Sequence, residues 1–393
     1  LQVPRTRVQP VFQTLVQEPY QMDVPIVADI AMQGRVGAEL QMDSPGEGWR
    51  IKGSCSLDLD HLHFQDHAFG LERLELEMPL WYEQQAAGIS RNWITGRAAI
   101  KKFFAPGLPE QDLQLEVKAG PNELIVHESA PVQTLGGGVS LGPLRINRLF
   151  SDTRRLETRL EVRDFSLAPA LKRLFQTPVH GSLSGTLDPV VLEKGRLQTR
   201  GGLQARIFNG VIDFFDIKAH NVFSPVPSFG LSAEFHGLDL AGMTTKTDFG
   251  RIQGVLEGSV DNLQIAAGQP QAFDLRLETL KTRGVDQKIS VRAVDNIARI
   301  GGGQSPFMGF AGALAAVFKN FSYRKIGIKA RLENDRFQIN GTIREQGTEY
   351  LIKRRGLTGV NIVNSNPDNQ ISFKDMLKRI RRVTSGQGQV RVE

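Results

Sequence analysis

The chain has 393 residues, with 48 Lys and Arg against 42 Asp and Glu, 40 Gly, 19 Pro and a single Cys. One cysteine excludes disulfide-knit scaffolds, cysteine-built metal centres and dithiol redox enzymes, and the longest apolar stretch, near Phe307–Phe318, is shorter than the ~20 residues of a membrane-spanning helix. The net charge of +6 comes with basic residues alternating with acids rather than clustered among aromatics, which argues against nucleic acid as a partner.

The dominant signal is two-residue alternation, which puts every second side chain on one face of a strand. It recurs along the chain, broken by turns predicted at Ser44-Pro45-Gly46, Pro106-Gly107, Gly136-Gly137-Gly138 and Asn366-Pro367-Asp368. In HLHFQDH, His61, His63 and His67 with Asp66 form the sharpest metal candidate. The competing reading, a solvated face opposite Leu62 and Phe64, is preferred, so no metal or cofactor is expected. Cys55 reads as a small strand residue, and Glu72, Glu75 and Glu77 as solvated edges.

Further on, Leu113, Leu115 and Val117 oppose Asp112, Gln114, Glu116 and Lys118. In RLETRLEVRDF, Leu156, Leu160 and Val162 share a face with Thr158, while Arg155, Glu157, Arg159, Glu161 and Arg163 take the other. A helix is predicted from Ser166, with Leu167, Ala170, Leu171, Leu174 and Phe175 on one side and Pro178 closing it. Strands resume at GSLSGTL and GRIQGVLEGSV, where Ile252, Gly254, Leu256, Gly258 and Val260 share a face and the internal glycines allow bending. Phe273, Leu275 and Leu277 alternate with Asp274, Arg276 and Glu278. Residues 306–318 are apolar almost all round, predicting a helix that is buried or lipid-inserted; Phe337, Ile339, Gly341 and Ile343 then alternate with polar residues. A basic amphipathic helix is predicted from Ser372, in a capping-box variant with Asp375. Phe373, Met376 and Leu377 line one side of it, with Lys378, Arg379, Arg381 and Arg382 among its basic groups. These seven are the candidate membrane or partner contacts.

No G-x-S-x-G, P-loop, dinucleotide or H-E-x-x-H signature occurs, so no enzyme is expected. Three short helices cannot cover the apolar faces of roughly 20 to 30 strands. A β-sandwich would bury those faces against a second sheet. An outer-membrane barrel would need aromatic girdles, which 3 Trp and 4 Tyr do not supply. The remaining solution is a long antiparallel sheet curled into an elongated apolar groove that acyl chains cover.

The block Val162 to Asn221 carries a likeness to a known family. "VRDFSLAPALKRLF", "GSLSGTLDPVVLEKGRLQTRGG" and "ARIFNGVIDF" resemble elements of the periplasmic AsmA-like proteins, most closely the C-terminal region of the YdbH type, sometimes labelled a dicarboxylate-transport domain, and more distantly TamB-like proteins. "ALAAVFKNFSYRKIGIKARLENDRFQINGTI" is similar to the helix and closing strands of that region, so the resemblance covers Val162 to Ile343. It implies a β-groove that conducts phospholipid between the inner and outer membranes, in the periplasm, and whose basic C-terminal tail departs from the family pattern. The start at Leu1 without Met is read as a mature product or fragment whose inner-membrane anchor lay upstream.

The expectation is therefore a mainly β chain of four parts: the first portion of a groove over 1–164, a helical insertion over 165–177, a C-terminal groove over 178–371 containing the 306–318 helix, and a basic helix and tail over 372–393. The lining for acyl chains is assigned to Leu156, Leu160, Val162, Ile252, Leu256, Val260, Phe273, Leu275, Leu277, Ile328, Phe337 and Ile339. An outer-membrane lipoprotein or another strand-pairing protein is the expected partner at the C-terminal end. A scaffold acting by strand pairing is the alternative function.

Overall fold

The computed structural model describes the chain apart from residues 1, 23–24, 45–48, 65–68, 86–87, 90–92, 105–109, 121, 129–131, 135–136, 149–150, 152, 172–178, 223, 225, 246, 248, 301–318, 357–358, 365–369 and 378–393. At 70% strand and 12% helix the protein is mainly β, built on one large antiparallel sheet that is not closed and has only a few short helices. Alternating side chains and short turns explain this, because antiparallel neighbours can be joined by tight hairpins whereas parallel ones cannot.

The chain divides into two compact units. The first comprises residues 1–165, 184–201 and 218–228; the second comprises 166–183, 202–217 and 229–393.

In the first unit, nine strands pair in spatial order: Gln2–Arg7, Ala31–Asp43, Trp49–Phe64, Phe69–Gln85, Ile94–Phe104, Gln111–Gly120, Glu123–Glu128, Leu144–Asn147 and Arg155–Ser166. The strand Gly137–Leu141 pairs with the later half of Arg155–Ser166. It contains two residues of the Gly136–Gly138 triplet expected to turn; the other turns named above lie wholly or partly outside the described residues. A helical run over Val8–Tyr20, absent from the sequence expectation, precedes these strands. The Gln9 side-chain carbonyl accepts from the Met32 amide at 3.0 Å, tying the run to the start of Ala31–Asp43.

One irregularity crosses three strands of this unit. Asp60, Arg73 and Lys101 are skipped in the pairing, and Arg73 adopts a left-handed φ of 54°. Such a bulge reverses the in-out parity of the residues beyond it. Leu62, Leu71 and Phe103 therefore pair in one row, and Leu59, Leu74 and Ile100 in another on the same face.

The second unit contains the meander Val255–Ala266, Gln269–Leu280, Asn320–Glu333 and Arg336–Gly341, closed by the short strand Gln370–Ser372. The long strand Asn320–Glu333 pairs through its first half with Lys288–Ser290 and Thr348–Arg354 instead. The segment expected as one strand from Arg251 to Val260 is two, Ile252–Gln253 and Val255–Ala266. The break falls at Gly254, whose φ of 147° suits glycine and where a Cβ would strike the Tyr323 hydroxyl.

Two further helices were not anticipated. Leu240–Thr244 is capped by Asp239, whose carboxylate accepts from the Ala241 amide at 2.9 Å. Val291–Ile300 buries Ala293, Val294, Ile297 and Ala298. Of the predicted 165–177 helix, Ala168–Leu171 is helical and the remainder lies mostly outside the described residues, as does all of 306–318. Among the described residues no helix is long and apolar enough to cross a membrane.

Candidate functional site

Residues paired directly across antiparallel strands point to the same face, so the ladders of the first unit define apolar rows. Val36, Leu57, Leu76, Ala98 and Leu115 form one row over five strands, about 19 Å at the usual strand spacing. Beside it run Leu59, Leu74, Ile100 and Leu113, and then Gly96, Val117, Val126 and Leu144. A further row joins Ala119, Leu124, Ile146 and Leu156. Leu59, Ala98, Ile100 and Val117 are buried, whereas Val36, Leu57, Leu74, Leu76, Leu113, Leu115, Leu124 and Val126 remain half-exposed. Covering such side chains returns about 25 cal/mol per Å² of apolar surface, so the rows offer a hydrophobic occupant a continuous site.

The opposite face is ionic. Lys102 contacts Glu72 at 3.5 Å and Glu110 at 3.2 Å, Arg5 contacts Asp58 at 3.3 Å, and Arg163 contacts Glu161 at 2.8 Å. The Glu161 carboxyl is held below its ordinary value, first by the hydrogen bond from Arg163. These pairs are exposed and add little stability; they keep one side of the sheet wet.

The second unit treats its apolar face differently. Val260, Leu275, Ala330 and Ile339 form one row, Leu277 pairs with Ile328, and Phe273, Leu332, Phe337 and Ile371 form another row. Ile252 and Leu256 belong to a core of sixteen buried side chains that includes Ile289, Tyr323, Leu351 and Ile352, with Leu277, Ile328 and Ile339 packed against it. The Val291–Ile300 helix contributes four members of that core. A second cluster joins Ala330, Leu332 and Phe337 to Phe373 and Met376, with Phe273, Leu275 and Leu377 alongside. Among the described residues both clusters belong to the second unit.

Polar satisfaction in that core is close. The Tyr323 hydroxyl donates to the Gln253 carbonyl at 2.6 Å, and burial pushes its pKa up. Glu349 is only 7% exposed. Its carboxylate accepts from the Gly341 amide at 2.8 Å, Asn364 at 2.8 Å, Asn340 at 3.3 Å and Arg344 at 3.2 Å. Burial pushes this carboxyl up, but the four donors outweigh it and hold the pKa below its ordinary value.

The twelve assigned lining residues thus divide between two settings. In the first unit, Leu156 and Leu160 are half-buried and Val162 is buried. In the second, Ile252, Leu256, Val260 and Phe337 are buried, while Phe273, Leu275, Leu277, Ile328 and Ile339 are half-buried against the cores. The most extensive rows with no packed core over them among the described residues, through Val36, Leu76 and Leu115, lie in the part of the chain where no lining residue was assigned. Their alternation was the available signal.

The C-terminal contact residues need correction. Phe373 and Met376, expected to face a membrane or partner, are 9% and 0% exposed and packed into the chain's own second cluster, because the Phe273 and Phe337 rings below them need cover. Leu377 packs there too. Helix 373–377 starts as expected after Ser372, which is also fastened to a residue distant in sequence. Its hydroxyl donates to Asp335 at 2.9 Å, and that carboxylate also accepts from the Lys374 amide at 3.2 Å. Lys378, Arg379, Arg381 and Arg382 lie outside the described residues.

The rings of His61 and His63 stand 5.1 Å apart; His67 and Asp66 lie outside the described residues. Among the described residues no three His, Cys, Asp or Glu gather as a metal site. Cys55 sits in the apolar row between Ala38 and Met78, half-buried, and burial pushes its thiol pKa up. Comparison with family models, curated proteins and solved structures finds no match to this chain.

Proposed function

We propose that the chain is a periplasmic segment of a bridge-like lipid-transfer protein, carrying phospholipid between the inner and outer membranes with acyl chains against the apolar rows and head groups at the solvent edge. An inner-membrane anchor outside this chain and a strand-pairing protein at the C-terminal end complete the proposal, which assigns no bond-making chemistry to any residue. The observation that carries it is the first unit's set of apolar rows. They are continuous over five strands, largely half-exposed, and without a packed core over them among the described residues. The likeness of Val162 to Asn221 to the AsmA-like proteins supplies the class of occupant.

The test uses the paired faces of one strand. A photo-crosslinking residue at Leu115 should capture phospholipid in cells, and one at Glu116 should not. Cys55, the only cysteine, provides a second reading: lipid loaded onto the purified chain should slow alkylation of its thiol. Equal labelling at Leu115 and Glu116, with no protection of Cys55, would leave the strand-pairing scaffold as the better account.

A further inference from the structure

The second unit's rows end beneath residues 370–377. There Phe373 sits 6.2 Å from the Phe273 ring and 5.7 Å from the Phe337 ring, and Met376 is fully buried beside them. We propose that this segment is a displaceable cap that occupies the last acyl-chain subsite of the lining and yields it to an arriving lipid tail. The inference rests on the lipid-carrying reading above and adds a regulated end to it.

Two features separate a cap from ordinary core. Its apolar contacts come from the Phe373 ring, Leu377 and the unbranched, flexible Met376, side chains whose shape and polarizability an alkyl chain can replace. Its attachment is slight. The strand Gln370–Ser372 is three residues long and pairs with Arg336–Gly341. Beyond it, Asp335 supplies three fastenings: its carbonyl accepts from the Phe373 amide at 2.9 Å, and its carboxylate accepts from Ser372 and Lys374. A three-residue strand and exposed side-chain hydrogen bonds mark a segment that opens locally more easily than the long strands beneath it. The surface it covers is not sealed either, since Phe273, Leu275 and Ile339 stay half-exposed with the cap in place.

The experiment places a photo-crosslinking residue at Leu275, or at Leu115 as the reference position, in the full chain carrying Cys55→Ser. Asp335→Cys with Ser372→Cys locks the cap under oxidation, and Asp335→Ala loosens it. With vesicles of phosphatidylethanolamine and phosphatidylglycerol, capture at Leu115 should be the same in every state. Capture at Leu275 should be weak when locked and several-fold stronger after reduction or in the Asp335→Ala variant. Unchanged capture at Leu275 while Leu115 still labels overturns the cap alone. Absence of capture at Leu115 overturns the lipid-carrying reading and the cap with it. If the cysteine pair does not oxidise, the Asp335→Ala arm decides by itself: no gain at Leu275 rejects the cap.

Discussion

The two units are made from the same alternating strands yet dispose of their apolar faces in opposite ways. In the second, the helix Val291–Ile300, the helix Leu240–Thr244 and residues 373–377 pack onto the sheet, and side chains such as Val294, Tyr323, Ile352 and Met376 reach 0% exposure. In the first, a comparable row over five strands keeps Leu57, Leu76 and Leu115 half-buried. Strand chemistry alone therefore does not make a core. A core needs a covering element, and where none of the described residues supplies one, the surface is left for an occupant of another kind.

The sharpest way to break this comparison is to place a charge in each unit. Ile352→Asp puts a carboxylate among Tyr323, Ile326 and Leu351 without a partner, a change that costs about 3–5 kcal/mol. It should unfold the second unit in a thermal melt. Leu76→Asp should leave the chain folded, because water can reach the new carboxylate, while abolishing lipid capture at Leu115. Loss of folding in both variants would mean that the first unit's face is sealed after all.

Smaller effects come from the buried polar groups of the second unit. Removing the Glu349 carboxylate in Glu349→Ala takes the acceptor from the Gly341 amide and one of the acceptors of the Asn364 side chain, at roughly 2–4 kcal/mol. The pH dependence has a definite sign. A carboxyl whose folded pKa is depressed contributes stability that is fully present above its ordinary value of 4.5 and is lost as pH falls through the folded pKa. The stability gap between the parent and Glu349→Gln should thus be widest near neutral pH and close below 4.5, measured by denaturant unfolding across that range. Tyr323→Phe removes the donor to the Gln253 carbonyl while keeping the ring, and should cost about 1–2 kcal/mol in the same assay.

Legibility in the sequence followed periodicity. Strands with clean alternation, such as Arg155–Ser166 and Gln269–Leu280, were readable because one exposed face forces the pattern. The helix Val291–Ile300 carries a usable signal: Ser290, whose hydroxyl accepts from the Ala293 amide, followed by Val291, Val294, Ile297 and Ala298 at helical spacing. The helical run Val8–Tyr20 had a weaker one, with Pro10 and Pro19 and few good helix formers. The bulge through Asp60, Arg73 and Lys101 shows as paired polar residues that shift the alternation by one, a pattern that is easily taken for a strand end. Which apolar faces are covered could not be read, because covering depends on distant segments coming together: Phe373 against Phe337, or the cluster that holds both Val294 and Ile352, follows no local pattern.

The smallest expected effect, a truncation at Leu76, measures the comparison most directly when it is set beside the same truncation in the second unit. Truncating Leu351, 1% exposed, to Ala opens a cavity among packed neighbours and should cost about 2–5 kcal/mol. The same truncation at Leu76 removes a side chain that is already partly in water, so the void it leaves is open to solvent rather than closed by a packed shell. Only the transfer term for the buried part of the side chain is lost, which is under about 1.5 kcal/mol. Lipid should then reverse the order of sensitivity. Bound acyl chains cover Leu76 and complete the packing that the protein lacks, so adding phospholipid should raise the melting temperature of the parent more than that of Leu76→Ala. It should leave the deficit of Leu351→Ala unchanged, because that side chain is covered by protein in either state. A lipid-dependent shift that is the same in all three chains would show that the stabilising lipid sits elsewhere than on the first unit's rows.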